Sequence, residues 1–363
     1  MKRADRARFW PPPGKLPLSD WRGVRLKKRQ SERLGLATLA LVALLVPLAG
    51  VSISGCTFSQ DKDEKEAQAP APPPSTSSAP TTPIRRDFPS SVMPFAETPS
   101  MTIGGGDDAD DIAIHPSGYV IGTNKNDEGG LEVYDRKARR LQWLQLGETN
   151  NVDLRGSTVV SSNRTRDGVD VLSFERGRLA LVRSFPVSFE PYGLCLFDNT
   201  VIVTANDAGR VEQYSLTGEP LRRLSGIESQ SEGCVADDAR GVLYVAEEER
   251  GIWRFAADAE ASPSGTLIDT VGENLAADVE GLTLVKGYLI ASSQGDSRFA
   301  IYKNDKFVAS FRVADRGSID GAAGTDGIDA NEALNLLVVH DSENTGGESS
   351  NYKYVRLSEL LPG

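Results

Sequence analysis

Histidine, cysteine and helical periodicity are all in short supply. The 363-residue chain contains two His and three Cys. His115 and His340 leave little for a Ser-His-Asp triad and have no metal-ligating spacing. His115 follows an apolar run and precedes Pro116, so it reads as a turn histidine. Beyond about residue 100, no stretch repeats apolar residues at helical spacing over ten positions, which excludes a helical bundle. Gly104-Gly105-Gly106 is not followed by a helical pattern and makes no phosphate loop. A basic surface is missing too: the net charge is −11, which argues against nucleic acid as a partner.

Charge is unevenly spread. Eleven Lys and Arg against three Asp and Glu give the first 33 residues +8, leaving −19 for the rest. Residues 34–55 carry no charge. A basic start followed by an apolar run reads as an export signal over 1–55. It ends in Ile53-Ser54-Gly55-Cys56, which resembles a bacterial lipobox. Cleavage before Cys56 would leave that cysteine lipidated, tethering the chain to a membrane of the cell envelope. An uncleaved anchor is the competing reading, since 22 uncharged residues can just span a bilayer; cleavage elsewhere is a third. In each case the bulk of the chain is expected outside the cytoplasm. Residues 56–100, rich in Pro, Ala, Ser and Thr, read as a disordered linker.

What is present beyond that linker is a repeat. Ser231-Glu232-Gly233-Cys234 leads into a β-branched run, a polar tip at Asp237-Asp238-Ala239-Arg240-Gly241, and a second run, Val242-Leu243-Tyr244-Val245. The pattern recurs with anchors at Asp110, Asn151, Tyr192, Glu232, Glu280 and Asp326, in steps of 41, 41, 40, 48 and 46 residues. Short strands at a period of about 40–50 residues mark propeller blades. The expected fold is all-β, a six-bladed β-propeller over 101–363.

In a propeller, the first strands of all blades line one channel, so equivalent positions ring one mouth. The residues there are Asp110, Asp111, Asn151, Asp153, Tyr192, Glu232, Asp278, Glu280, Asp320 and Asp326. Converging carboxylates repel and stay ionised only around a cation. Oxygen ligands without His or Cys suit a hard ion, and a wide flexible cage suits Ca²⁺ better than Mg²⁺. Positions after each second strand return to the same rim: Lys125, Arg164, Asn206, Glu248 and Gln294. Strand alternation turns Glu247 away from Glu248 and makes it a surface charge. Cys195 and Cys234 follow neighbouring anchors one residue out of step; two buried free thiols are expected rather than a disulfide. Cys234 and Arg240 also fit the Cys-x5-Arg count of cysteine phosphatases, but Gly233 precedes the cysteine instead of His, and Asp237 and Asp238 would repel a phosphate. Lys and Arg beside a metal ring match what a phosphate ester requires: charge neutralisation, an acidified water and clamps on non-bridging oxygens.

The motifs Asp108-Ala109-Asp110-Asp111, Thr123-Asn124-Lys125, Asn150-Asn151-Val152-Asp153-Leu154-Arg155, Ser162-Asn163-Arg164, Glu212-Gln213-Tyr214, Ser229-Gln230-Ser231-Glu232-Gly233, Ala246-Glu247-Glu248, Asp278-Val279-Glu280-Gly281-Leu282, Ser292-Ser293-Gln294-Gly295 and Thr325-Asp326-Gly327-Ile328-Asp329 occur in the order and spacing of a known family. The chain resembles the β-propeller phytases, the calcium-dependent alkaline phytase family. The resemblance implies a phosphoric monoester hydrolase of the 3-phytase type that acts as a monomer on phytate, or other inositol phosphates, as calcium complexes. It implies several calcium ions on Asp111, Glu232, Glu248, Asp278, Glu280, Gln294, Asp320 and Asp326; the converging ring adds Asp110, Asn151 and Asp153 as metal candidates. It assigns Lys125, Arg164 and Tyr192 to grip the phosphate, with Glu232 and Glu248 serving catalysis at the metal. Asn126, and the pair Asn206-Asp207, stand where the family carries residues of a second phosphate site, two of them lysines, and Gly324 replaces an acid. A non-catalytic calcium-bearing propeller that binds a ligand or protein partner is the alternative; the joint presence of Lys125, Arg164 and Tyr192 favours the enzyme.

Overall fold

Five short β-branched runs, Val120–Asn124, Thr158–Asn163, Thr200–Ala205, Val242–Glu247 and Tyr288–Ser293, each form a second strand against an inner one. The computed structural model describes residues 88–100, 108–206, 209–345 and 349–361. They belong to the unit Pro80–Gly363. The export signal and Cys56 lie outside the described residues. Among those described, no helix is long and apolar enough to cross a membrane.

The described strands make six sheets, the blades of a propeller. Blade 1 runs from Ala109–Ile114 to Arg140–Gln145, blade 2 from Thr149–Arg155 to Arg178–Pro186, and blade 3 from Pro191–Phe197 to Pro220–Arg223. Blade 4 runs from Ser231–Asp237 to Thr266–Thr270 and blade 5 from Val279–Val285 to Lys306–Val313. Within each blade successive strands pair antiparallel, and each inner strand contacts that of the next blade, with the sixth touching the first. The six-bladed expectation holds.

Blade 6 corrects one boundary. Its inner strands Ile328–Asn331, Leu336–Asp341 and Asn351–Arg356 take their outermost partner, Pro94–Glu97, from the start of the domain. Ser91–Val92 pairs parallel with the outer strand of blade 5. The linker expected to extend to residue 100 therefore ends before residue 91. Proline in this stretch masked the strand, but proline is tolerated on an outer edge. Residues 91–97 thus join the outer edges of blades 5 and 6, and Pro94–Glu97 beside the late strand Asn351–Arg356 closes the ring.

The core lies between blades. Leu131, Val133, Val159 and Leu172 fill the gap between blades 1 and 2; Ile202, Leu243, Val245 and Phe255 fill that between blades 3 and 4. Comparable clusters separate every other pair, including Val338, Tyr352 and Tyr354 against Ile112 and Tyr134 across the closing junction. Each fully buried side chain of this size contributes roughly 1.5–3 kcal/mol. The ring is thereby rigid enough to hold side chains at its centre.

Candidate active site

The inner strands of blades 1 to 5 share an irregularity. Pairing with the second strand slips by one residue between Ala109 and Ile112, Thr149 and Val152, Pro191 and Leu194, Ser231 and Cys234, and Val279 and Leu282. A bulge sets two consecutive residues against one and re-aims them. The doublets are Asp110-Asp111, Asn150-Asn151, Tyr192-Gly193, Glu232-Gly233 and Glu280-Gly281. Asp326-Gly327 occupies the matching place just before the inner strand of blade 6.

The second members pack strand on strand. A Cβ at Gly193, Gly233, Gly281 or Gly327 would collide with the backbone carbonyl oxygen of Glu232, Glu280, Asp326 or Asp110 in the next blade. Blades 1 and 2 carry Asp111 and Asn151 there, and the two side chains satisfy each other. Asn151 Nδ2 donates to Asp111 Oδ2 at 3.0 Å, and Val152 N donates to the same oxygen at 3.1 Å. Both line a channel cavity of about 510 Å³, as does Asp153. Asp153 accepts from Leu196 N at 2.8 Å and pairs with Arg155 at 3.1 Å.

The first members converge. Lys125 Nζ lies 2.9 Å from Asp110 Oδ2 and 3.4 Å from Asp326 Oδ2. Gln294 Nε2 donates to Asp326 Oδ1, and Asp326 N donates to Nδ1 of buried His340 at 3.1 Å. One oxygen each of Glu232, Glu248 and Glu280 lie within 4.8 Å of one another. Arg164 sits over the Tyr192 ring at 5.8 Å, donates through Nε to Glu190 at 2.9 Å and reaches Asn150 Oδ1 at 3.4 Å.

The charges confirm the crowding. Burial, then the charge of Glu232, holds the Asp110 carboxyl well above its ordinary range. Burial and the neighbouring carboxylates raise Glu232 and Glu280 likewise. Glu248, less buried, is pushed up to about 7 by desolvation, against a hydrogen bond from Gln230. The Tyr192 phenol is raised chiefly by the charge of Glu232, so it stays a neutral donor. Buried oxygens of Glu248 (Oε1) and Glu280 (Oε2) receive no hydrogen bond. Clustered carboxylates with open lone pairs fit a hard divalent cation.

A family model described as phytase matches residues 72–345. The chain belongs to the phytase family. It is 34% identical over 315 residues to the 3-phytase of Bacillus subtilis (strain 168), covering 71% of this chain and 81% of that protein. A crystal structure of the computationally designed Ika8 protein aligns at a TM-score of 0.41 and 13% identity, over 68% of this chain and 70% of its own.

In this phytase most of the expected residues meet at one mouth: Asp110, Lys125, Arg164, Tyr192, Glu232, Glu248, Glu280, Gln294 and Asp326. Asp278 lies beside Glu248, raising its pKa. Asp111, Asn151 and Asp153 instead line the channel, with the partners given above. Asp320 does not join the mouth cluster. Its carboxylate takes Lys353 Nζ together with Thr345 N at 2.6 Å and Oγ1 at 2.8 Å. Lys353, fully buried, also reaches Glu97 at 2.6 Å and Asp341 at 3.1 Å. In this structure the cation that Asp320 meets is Lys353.

Two further expectations are corrected. Cys195 and Cys234 form a disulfide with Cα atoms 5.6 Å apart. Gly193, packed on the carbonyl of Glu232, brings those two strands closer than splayed blades suggest. Glu247 is fully buried rather than a surface charge. Sequence reading also missed Asn150, Glu190 and His340. Only Asn150 left a signal, since a step of 40 residues from Asp110 fits the repeat as well as 41.

Proposed function

We propose that this enzyme removes phosphate from phytate through calcium held at the channel mouth by Glu232, Glu248 and Glu280, with Asp110 and Asp326 beside them. The observation that carries the reading is the glutamate cluster with open buried oxygens, set against Lys125, Arg164 and Tyr192. Bound calcium would neutralise phosphate oxygens and lower the pKa of a water for direct attack on phosphorus. The protein groups divide the remaining work. Arg164 offers a planar fork to two phosphate oxygens. Lys125, beside Asp110 and Asp326, adds a point charge. Tyr192, kept protonated by the acids around it, donates its hydroxyl to a third oxygen. The acidic mouth disfavours bare phytate, so the calcium complex is the substrate form that the electrostatics favour.

Outside the described residues, lipidation at Cys56 would tether the exported enzyme, as a monomer, to a membrane of the cell envelope. Phosphate release from phytate, followed across a calcium titration and with a chelator, tests the catalytic reading. Release should vanish on chelation and return with calcium. Release that persists unchanged in chelator would refute the calcium role.

A further inference from the structure

Glu247 ends the second strand of blade 4, one residue before the proposed ligand Glu248, and has 0% of its surface exposed. A buried carboxylate is costly unless donors surround it. Among the described residues, its Oε1 accepts from Glu228 N at 2.8 Å, Ser229 N at 2.7 Å and Ser229 Oγ at 2.9 Å. Its Oε2 accepts from Trp253 Nε1 at 2.6 Å, with Arg250 Nε at 3.8 Å. Arg250 in turn lies over the Trp253 ring.

The segment so gripped is the approach to Glu232. Residues 228–230 lie outside any strand, so their amides need partners. From Ser229 the chain passes through Gln230 and Ser231 into the bulge at Glu232. Glu248 N donates to Gln230 O at 3.1 Å, and Ser231 pairs with Glu247 itself. One carboxylate therefore ties the lead-in to Glu232 to the strand end that presents Glu248. Charge-assisted bonds to backbone amides are about twice as strong as neutral ones, which suits a clamp.

We propose that Glu247 is a positioning residue that sets the spacing between Glu232 and Glu248, and through it the calcium affinity of the mouth. It touches neither substrate nor metal. The inference rests on the calcium reading above. In Glu247→Gln the amide could still accept from the 228–229 loop, but its NH₂ would face the Trp253 N–H.

The test is calorimetric titration of the full chain with CaCl₂, without substrate, for wild type and variants. Circular dichroism and thermal melts in chelator report the fold. Glu247→Gln should weaken calcium binding about 10–100-fold, the usual effect of losing an outer-shell partner. At saturating calcium its phosphate release should approach the wild-type rate. Trp253→Phe, which deletes one donor, should weaken binding less. A folded Glu247→Gln variant with wild-type calcium affinity overturns the proposal. If Glu247→Gln fails to fold, unchanged affinity in both Trp253→Phe and Ser229→Ala overturns it. A wild type that takes up no calcium defeats the underlying reading instead, an outcome visible before any variant is made.

Discussion

Arg164 is held by neighbours on three sides: Glu190 on Nε, Asn150 on Nη1 and the Tyr192 ring. None of these belongs to the glutamate cluster. Arg164→Ala should therefore lower kcat on phytate by about 100–1000-fold, the range for losing one preorganised donor to developing charge. A rise in Tm on adding calcium, expected for the proposed site, should survive in this variant. An unaltered rate would remove Arg164 from the reaction. Glu248 contributes a pH dependence near neutrality, alongside the raised carboxyls of Asp110, Glu232 and Glu280. Its carboxyl sits at about 7 in the metal-free fold against an ordinary 4.5. A raised acid favours the folded state while protonated, so that contribution is full below the ordinary value and is lost as pH rises through about 7. Calcium bound as proposed would take the ionised form. Affinity should accordingly climb over the same interval, and uptake should release more protons at about pH 6 than at about pH 8. Calorimetry in buffers of different ionisation enthalpy checks this; equal release at both would contradict it. The identities of these residues were readable in the sequence. Their partners were not: alternation rightly turned Glu247 away from Glu248, but only the fold shows that the far side is covered by Trp253 and the 228–229 loop.

At the level of strands, the bulge decides which residue of each doublet faces the mouth. Repeat spacing located the doublets to within one residue, and for Glu232-Gly233 the glycine removed the ambiguity. Asn150-Asn151 offered two identical side chains, so spacing could not choose between them. The ion pair of Asp320 was hidden for a different reason. Its neutralising partner, Lys353, lies 33 residues along the chain, and Glu97 lies on the opposite end of the domain. No local pattern links the three. Lys353→Met should leave Glu97, Asp320 and Asp341 without their shared cation, and breaking a buried ion pair in this way costs about 3–5 kcal/mol. Urea denaturation measures the loss. Hydrogen exchange should show it first at Pro94–Glu97 and its partner strand Asn351–Arg356. A loss below about 1 kcal/mol, as for an exposed pair, would reject this role.

Across the whole molecule, stability comes from six inter-blade cores plus a closure joining residues near both ends of the described chain. The Cys195–Cys234 bridge adds a covalent link between blades 3 and 4, at a sequence separation of 39. Loop-closure entropy for such a span is roughly 4 kcal/mol. Replacing both cysteines by Ala should lower unfolding stability by about that amount, read from denaturant midpoints. No change would mean that the bridge does not constrain the unfolded chain. Since the bridge lies two and three residues past Glu232 and Tyr192, the double variant should also show a weaker calcium response.

By itself the sequence determined the number of blades, their order and the acidic character of the mouth, because these follow from a repeat period and from residue types at fixed offsets. Only the tertiary structure decided which member of each doublet turns inward, which acids pair with Lys353 and which accepts from Asn151, and that the two thiols meet. Those outcomes depend on distances between segments far apart in the chain. Such distances are set by bulges, by contacts between blades and by closure of the ring; the glycines mark where blades touch, but no local pattern fixes how far apart distant segments end up.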